Sequence, residues 1–299
     1  MRSAFLVLAL GFATATQAIN VVEYGLDATS TSGSTSLSNS GGGTGGPQTV
    51  GSSFAFMVTS GGTDASVSYQ PGLVGLQASS AWPSGDPVFG DPGDSHYGGV
   101  MIGIYDTLVM HKPAGSPDYG ATLTFDILLT GQLSQVNGMA RWFTEAELRA
   151  PLYRGPNFTL VQPIIRIDVE GRVDSGVGAS GVSLPAMLSA QHPGSANTTD
   201  LFLYDTPIDL DWRIFVGVDG YLPGTTGVAG SAVANLGNTA LWLGITARDS
   251  QGQIIEGLQF TSESGHNWAT AVPLPPTIWM LLTAIGAAIG WRARRPFQS

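Results

Sequence analysis

The chain of 299 residues contains no cysteine. Without thiols it has no disulfide framework, no thiolate ligand for a metal ion and no cysteine nucleophile. Small secreted domains often depend on such cross-links, but the roughly 250 residues between the two chain ends are enough to bury a complete hydrophobic core unaided. Stability must therefore come from packing and hydrogen bonds.

Charged residues are scarce, and basic residues are the scarcest. Asp, Glu, Lys and Arg make up 11% of the chain, and Lys112 is its sole lysine. Residues 19–271 hold all 22 acidic residues but only eight of the 12 basic ones, which gives this stretch a formal net charge of −14. Because phosphate groups are bound by basic patches, nucleic acid and anionic lipid are disfavoured as partners.

An apolar run stands near the beginning of the chain. Arg2 provides a basic start, residues 4–13 form an apolar stretch of signal-peptide length, and small residues around Ala18 offer a cleavage point before Ile19. We therefore predict that residues 1–18 are a signal peptide and that the rest of the chain is exported. A buried amino-terminal strand is the alternative interpretation.

A second apolar run, residues 277–291, comprises fifteen residues without a charge. As a helix it would be about 22 Å long, which is short for a hydrocarbon core of about 30 Å unless its flanks or a tilt contribute. Trp279 and Trp291 stand where interfacial aromatic residues occur, and the arginines that follow favour a cytoplasmic end. This orientation puts the body outside the inner membrane, in agreement with the signal peptide.

The residues just before this run form a recognisable motif, Val272-Pro273-Leu274-Pro275. The motif, the tryptophan, the apolar helix and the terminal arginines together resemble the carboxy-terminal sorting signal of PEP-CTERM proteins in its VPLP variant. That resemblance implies processing by an exosortase, a membrane peptidase of Gram-negative bacteria, and an association with the cell surface or with exopolysaccharide. It is confined to residues 272–299 and rests on Val272, Pro273, Leu274, Pro275, Trp279, Arg292, Arg294 and Arg295.

Two other interpretations of the tail stay open. Residues 274–277, Leu-Pro-Pro-Thr, are similar to the LPxTG signal of sortase substrates, but Ile278 replaces the glycine of that motif and no spacer precedes the apolar run. A plain membrane anchor would use the same physics without cleavage, and only the VPLP motif argues against it. Prolines in that motif prevent a helix and would leave it extended just outside the membrane.

The body, residues 19–271, is dominated by alternation of apolar and polar residues, which is typical of half-buried strands. Turns rich in Gly, Pro, Asn and Asp separate the alternating segments. We therefore predict an all-β fold, an antiparallel and jelly-roll-like β-sandwich. The predicted inward faces of four segments are Leu123, Phe125, Ile127 and Leu129; Ile165, Ile167, Val169 and Val173; Trp212, Ile214, Val216 and Val218; and Leu241, Leu243, Ile245 and Ala247.

Three segments depart from this pattern. Residues 144–150 and 185–190 are candidate helices. Residues 27–53 are rich in serine, threonine and glycine with almost nothing to bury, which favours a flexible linker or a long surface loop. Strands are expected on either side of it, at residues 19–24 and 54–59.

One segment is partly similar to an esterase motif. Residues 88–99, VFGDPGDSHYGG, resemble the GDS signature of certain esterases, with His266 as a candidate distant base. However, Pro92 stands where the nucleophilic serine should follow, and the alternating helices and strands of that fold are missing.

A pair of carboxylates gives a second catalytic hypothesis. Asp168 and Glu170 would lie about 6.6 Å apart along a strand, within the range of a glycosidase pair. Arg166 and Arg172 flank them, and alternating charges are more typical of a solvated sheet face. We therefore predict no enzyme.

Carboxylates in loops are the candidate metal ligands, because the four histidines show no zinc-ligand spacing. Two interpretations of the acidic loops stay open. Aspartates are common in turns without any ion, and this interpretation is favoured. A weak calcium site is the other, and calcium is the one cofactor considered. Its expected ligands are Asp86, Asp91 and Asp94, and a second acidic cluster comprises Asp205, Asp209 and Asp211.

Flat aromatic side chains could stack on sugar rings, although burial is the more frequent fate of a single tryptophan. We expect a non-enzymatic exported surface or extracellular-matrix protein, with exosortase, the inner membrane and exopolysaccharide as partners. A carbohydrate-binding module is the alternative, followed by a secreted hydrolase. The aromatic candidates are Trp82, Trp142, Trp242, Tyr97 and Tyr221.

Overall fold

A computed structural model describes residues 21–30, 33–38, 48–50, 53–82, 96–154, 160–174, 179–191, 201–220, 229–236 and 240–269. Within these ranges the chain forms strands, turns and irregular connections, and no helix. None of the described segments is thus a helix of the length and hydrophobicity that a membrane span requires. The predicted signal peptide, residues 1–18, and the predicted sorting signal, residues 272–299, lie outside the described residues.

The described residues form 18 strands. In chain order they are β1 Val21–Ser30, β2 Gly33–Ser38, β3 Gln48–Thr49, β4 Phe54–Ser60, β5 Thr63–Gln70, β6 Leu73–Trp82, β7 Tyr97–Met110, β8 Gly120–Val136, β9 Met139–Arg149, β10 Tyr153–Arg154, β11 Leu160–Val161, β12 Ile164–Asp174, β13 Ala179–Gln191, β14 Phe202–Leu203, β15 Pro207–Asp219, β16 Gly230–Asn235, β17 Ala240–Arg248 and β18 Phe260–Ser262.

Two sheets of eight strands each contain all of these strands except β10 and β11, which pair with each other. The first sheet has the order β12-β9-β15-β7-β1-β2, with β3 beside β1 and β18 beside β7. The second has the order β13-β8-β16-β6-β5-β4, with β14 beside β8 and β17 beside both β6 and β8. Every pairing is antiparallel, which confirms the predicted all-β antiparallel class.

The two sheets share one hydrophobic core. Strands β1 and β7 of the first sheet contact β5 of the second, and β15 contacts β6. Alternation places the apolar side chains inward, because successive residues of a strand point to opposite faces. The predicted faces of β8, β12 and β15 are confirmed: these side chains lie in the core or pack against it, namely Leu123, Phe125, Ile127, Leu129, Ile165, Ile167, Val169, Val173, Trp212, Ile214, Val216 and Val218.

The predicted inward face of β17 is wrong at Leu243, which is only partly buried, although Leu241 is buried. The pairing of β17 with β8 shifts between Trp242 and Gly244, and Gly244 has a φ of 114°. This β-bulge adds one residue to the strand and so exchanges the faces on its two sides. Trp242, rather than Leu243, therefore shares the core with Ile245 and Ala247.

Both predicted helices are strands. Residues 144–149 belong to β9, where Thr144, Ala146 and Leu148 are buried while the charged residues between them are not. This alternation outweighs the helix propensity of Glu, Ala and Leu, since burial against the core decides the conformation. Residues 185–190 belong to β13, at the end of the strand order of the second sheet. An edge strand tolerates Pro185 because one of its sides makes no ladder bonds.

The serine-rich segment, residues 27–53, contains paired strands in addition to the expected loop. β1 continues to Ser30, β2 pairs with it in a hairpin, and β3 pairs with its beginning. At the end of the segment Val50 is buried, and its carbonyl oxygen accepts the hydroxyl hydrogen of Tyr69 at 2.9 Å. Backbone pairing at the sheet edge requires no apolar side chains, which is why composition did not reveal these strands.

Tryptophans connect the two sheets inside the core. The ring of Trp242 on β17 stacks on Phe125 of β8 at a centroid distance of 4.9 Å and lies 5.8 Å from Trp212 of β15 in the other sheet. Beyond β18, Trp268 meets Trp242 edge-on at 5.5 Å, and its carbonyl oxygen accepts the Trp242 indole hydrogen at 2.8 Å. The segment that follows β18 is therefore part of the core.

One buried carboxylate holds this segment. Asp106 on β7 is 2% exposed. It accepts hydrogen bonds from the Trp268 indole at 2.6 Å, from the backbone N–H of Thr107 at 2.8 Å, and from both the backbone N–H and the hydroxyl of Ser264. No cation is among these donors, so hydrogen bonds compensate for the lost hydration of the carboxylate.

Replacing Asp106 with alanine should lower the free energy of unfolding by roughly 3 kcal/mol or more, since each buried donor left without an acceptor costs about 1–3 kcal/mol. Denaturant unfolding of the full-length protein measures this change. The matched control is Asp168→Ala, at a carboxylate that is 64% exposed and forms a surface ion pair, where a change below about 1 kcal/mol is expected. Equal losses in the two variants would contradict the role given to Asp106.

Candidate functional site

The site residues predicted from the sequence fall mainly outside the described part of the chain. This holds for the calcium candidates Asp86, Asp91 and Asp94. It holds equally for the sorting residues Val272, Pro273, Leu274, Pro275, Trp279, Arg292, Arg294 and Arg295. Both remain predictions.

The second acidic cluster is described, and its members have separate partners. Asp205, in a turn with a φ of 56°, lies 3.3 Å from His111. On β15, Asp209 lies 4.0 Å from Arg149 and Asp211 lies 2.6 Å from Arg213. Among the described residues no group of three or more His, Asp or Glu side chains is arranged to hold a metal ion.

Charged side chains cover the outer face of the first sheet in rows that follow the strand register. One row crosses β12, β9, β15, β7 and β1 through Asp168, Glu145, Arg213, Gly103 and Glu23. Glu145 and Arg213 are cross-strand neighbours of opposite charge and attract one another, whereas Asp168 and Glu145 are like charges that Arg166 bridges. This face therefore combines both signs of charge at fixed spacing.

Arg166 forms ion pairs with Asp168, one carboxylate of the glycosidase hypothesis, and with a neighbouring strand. Its guanidinium lies 3.0 Å from Asp168 on the same strand and 2.9 Å from Glu145 on β9. All three side chains are partly or largely exposed. The arrangement is that of surface ion pairs on an open sheet.

Arg213 is held on this face by an acidic and an aromatic neighbour. It donates to Asp211 at 2.6 Å, and its guanidinium carbon lies 5.7 Å from the ring centroid of Tyr105. Burial raises the pKa of Asp211, and the opposing effect of Arg213 does not cancel it. Burial also raises the pKa of Tyr105. Two buried atoms, Asp211 Oδ1 and Arg213 Nε, have no hydrogen-bond partner among the described residues.

An apolar row runs beside the charged one. Phe143 of β9 stacks on Phe215 of β15 with a centroid distance of 5.3 Å and an interplanar angle of 19°. The guanidinium carbon of Arg141 lies over the Phe215 ring, 5.2 Å from its centroid. The row continues through Met101, which is 48% exposed, to Gly25 on β1.

Where the two rows reach β7 and β1, glycine residues in place of larger ones leave an indentation of about 200 Å³, which we call the glycine notch. A Cβ atom on Gly103 would lie 2.8 Å from the hydroxyl oxygen of Tyr105, so glycine is required for the tyrosine to lie across the strand. The notch is lined by Glu23, Tyr24, Gly25, Met101, Gly103, Tyr105 and Arg213.

The aromatic residues predicted for sugar stacking are mostly elsewhere. Trp82, Trp142 and Trp242 are buried. Tyr97 is half-buried on β7, and Tyr221 lies outside the described residues. Sequence reasoning missed Phe143, Phe215 and Tyr105. A signal exists for Phe143, which lies two residues after Arg141 and two before Glu145, and for Phe215, which lies two residues after Arg213. Such alternation with charged residues indicates an outward-facing position on a strand.

The candidate base of the esterase hypothesis, His266, lies beside Asp106. Ser264, two residues earlier, donates its hydroxyl hydrogen to the carboxylate and not to an imidazole. The ring of His266 meets Trp268 edge-on at 4.5 Å, and its buried Nε2 has no hydrogen-bond partner among the described residues. A Ser-His-Asp nucleophile needs the imidazole between hydroxyl and carboxylate, so this geometry differs from that of a catalytic triad.

The environment of His266 makes stability depend on pH. Burial lowers its pKa from the ordinary value of 6.5, against the opposing effect of Asp106. The unfolded chain therefore takes up a proton at a higher pH than the folded protein does. This contribution to stability is fully present above about pH 6.5 and is lost as the pH falls toward the folded-state pKa.

Replacing His266 with glutamine should therefore flatten the fall of unfolding free energy between about pH 7 and pH 5. Denaturant unfolding of both proteins across this range gives the two slopes. Asn267→Ala is the neighbouring control and should retain the wild-type slope. If the glutamine variant also retains it, His266 is not the source of the acid sensitivity.

Comparisons with known protein families, with curated proteins and with solved structures found no match to this chain. Its function must therefore be inferred from its own residues. The described part of the chain offers two features for that purpose: the outer face of the first sheet, with its glycine notch, and the core-anchored segment that leads to the tail.

Proposed function

We propose that this chain is a non-enzymatic exported surface or extracellular-matrix protein of a Gram-negative bacterium, targeted by a carboxy-terminal exosortase-type sorting signal. Its body, a jelly-roll-like β-sandwich, is held at the outer side of the inner membrane by the tail and is then transferred to the cell surface. The observation that carries this proposal is the motif at residues 272–275 with Trp279 and the terminal arginines.

The attachment of the tail supports the proposal. Trp268 is fully buried and bonded to Asp106, and Val272 follows only four residues later. Four Cα–Cα steps span at most about 15 Å. The predicted motif therefore begins close to the body, and the body would stay near the membrane until the tail is cut.

The distribution of acids supports a body without catalysis. Glu145 of β9, Asp168 of β12 and Asp211 of β15 are paired with arginines on an open face. The buried carboxylate, Asp106, is occupied by donors that fix the fold. An enzyme of the glycosidase type would instead bring two carboxylates together across a cleft.

Intact-mass measurement of the protein recovered from its native cell surface tests the sorting signal. We expect a chain that lacks residues 277–299. A Pro273→Ala, Pro275→Ala double variant should keep these residues and remain in the membrane fraction, because its motif loses the extended conformation. Pro296→Ala, beyond the arginines, is the control and should be processed normally. Residues 277–299 still attached to the wild-type protein would overturn processing and favour a plain anchor.

A carbohydrate-binding module is the second candidate function. It is favoured by the stacked Phe143 and Phe215 beside the glycine notch on the outer face of the first sheet. The two functions are compatible, since a matrix protein gains a role by binding the polymer around it.

A further inference from the structure

We propose that the glycine notch binds one sugar ring of a neutral polysaccharide, and that the adjoining apolar row carries the neighbouring rings. The inference rests on the proposed exported location, since it needs a polymer outside the cell. It is independent of whether the tail is cleaved.

The shape of the glycine notch suits a ring with an apolar face. Gly25 and Gly103 remove two side chains from the surface, while Met101 and the ring of Tyr105 supply apolar walls. Small-molecule sites are typically concave and mostly apolar, with a few placed polar groups. The C–H faces of a sugar ring can pack on such walls while its hydroxyl groups point to the rim.

The polar groups of the glycine notch supply both an acceptor and a donor. Glu23 makes no hydrogen bond or ion pair with the described residues, so its carboxylate is free to accept. Arg213 is held in place by Asp211 and Tyr105, and its side chain is 41% exposed, so its guanidinium can donate to a ligand in the notch. A sugar hydroxyl both donates and accepts, so neighbouring hydroxyls can satisfy both groups.

The charge of the glycine notch selects against acidic sugars. The charge of Arg213 is offset by Asp211 at 2.6 Å and Glu145 at 4.0 Å, whereas Glu23 has no basic partner among the described residues. The body as a whole carries a formal net charge of −14. An anionic ligand would meet this field with repulsion, whereas a neutral one would not.

The row beside the glycine notch argues for a polymer. From Gly25 the register runs through Met101 and Phe215 to Phe143. These positions cross three strand spacings, or about 14 Å. A single sugar would use only the first of them, and an extended chain would use the stacked phenylalanines as well.

Gly25 provides a variant that fills the notch without disturbing the fold. A Cβ atom at this position meets nothing within 4 Å, and the residue does not have a positive φ. Gly25→Leu should therefore fold normally and block the site. Thr59→Leu, at an exposed position on β4 of the second sheet, adds a leucine to the other outer face and is the matched control.

The test is affinity electrophoresis of the full-length protein, kept soluble in a detergent without a sugar headgroup. The gels contain dextran, mixed-linkage β-glucan, galactomannan or, as the anionic polymer, alginate. We expect retardation by at least one neutral polymer and little by alginate. The dissociation constant should rise at least about tenfold in Gly25→Leu, as loss of hydrogen bonds to charged groups implies, and stay unchanged in Thr59→Leu.

Glu23→Gln is a second test of binding that does not depend on filling the notch. It keeps the size of the side chain, removes no contact with a described residue, and should weaken binding while leaving the thermal midpoint unchanged. No retardation by any neutral polymer, stronger retardation by alginate, or wild-type binding in both Gly25→Leu and Glu23→Gln would each overturn the proposal. None of these results bears on tail processing, which the mass measurement decides separately.

Discussion

The described structure depends on the buried carboxylate of Asp106. It lies on the core side of β7, where four hydrogen bonds replace its hydration. Through Trp268 it fixes the segment after β18, and Trp268 in turn accepts the indole hydrogen of Trp242 from the other sheet. A charge without hydration is stable only where all its partners are in place, so this group couples the two sheets to the end of the body.

The same alternation that builds the core gives the two sheets unlike outer faces. The first sheet presents ion pairs, the Phe143–Phe215 stack and the glycine notch. On the second, one row crosses five strands with no charge, through Met57, Ser66, Gln77, Asn235 and Gln132. Specific recognition needs groups of fixed geometry and charge, which is why the proposed binding site is placed on the first sheet.

Much of the fold was visible in the sequence, and much of the candidate site was not. Period-two alternation identified the inward faces of β8, β12 and β15 because burial of one face imposes that period. It failed at β17, where a bulge at Gly244 exchanges the faces. The helix predicted at residues 144–150 is wrong because Thr144, Ala146 and Leu148 alternate with charged residues and are buried, as in a half-buried strand. Phe143 and Phe215 depart from this rule, since they are apolar residues at partly exposed positions of β9 and β15.

By itself the sequence determined the all-β class, the acidic character of the body and the expectation of signals at both ends, since each depends on local composition and spacing. Only the tertiary structure decided which residues are neighbours across paired strands. Glu23, Met101 and Arg213 are far apart along the chain, and only the pairing of β1, β7 and β15 makes them neighbours. Likewise Asp106 and Trp268 meet only because the segment after β18 returns to β7. Long-range strand register leaves no local mark in a sequence, so contacts that depend on it must be read from the fold.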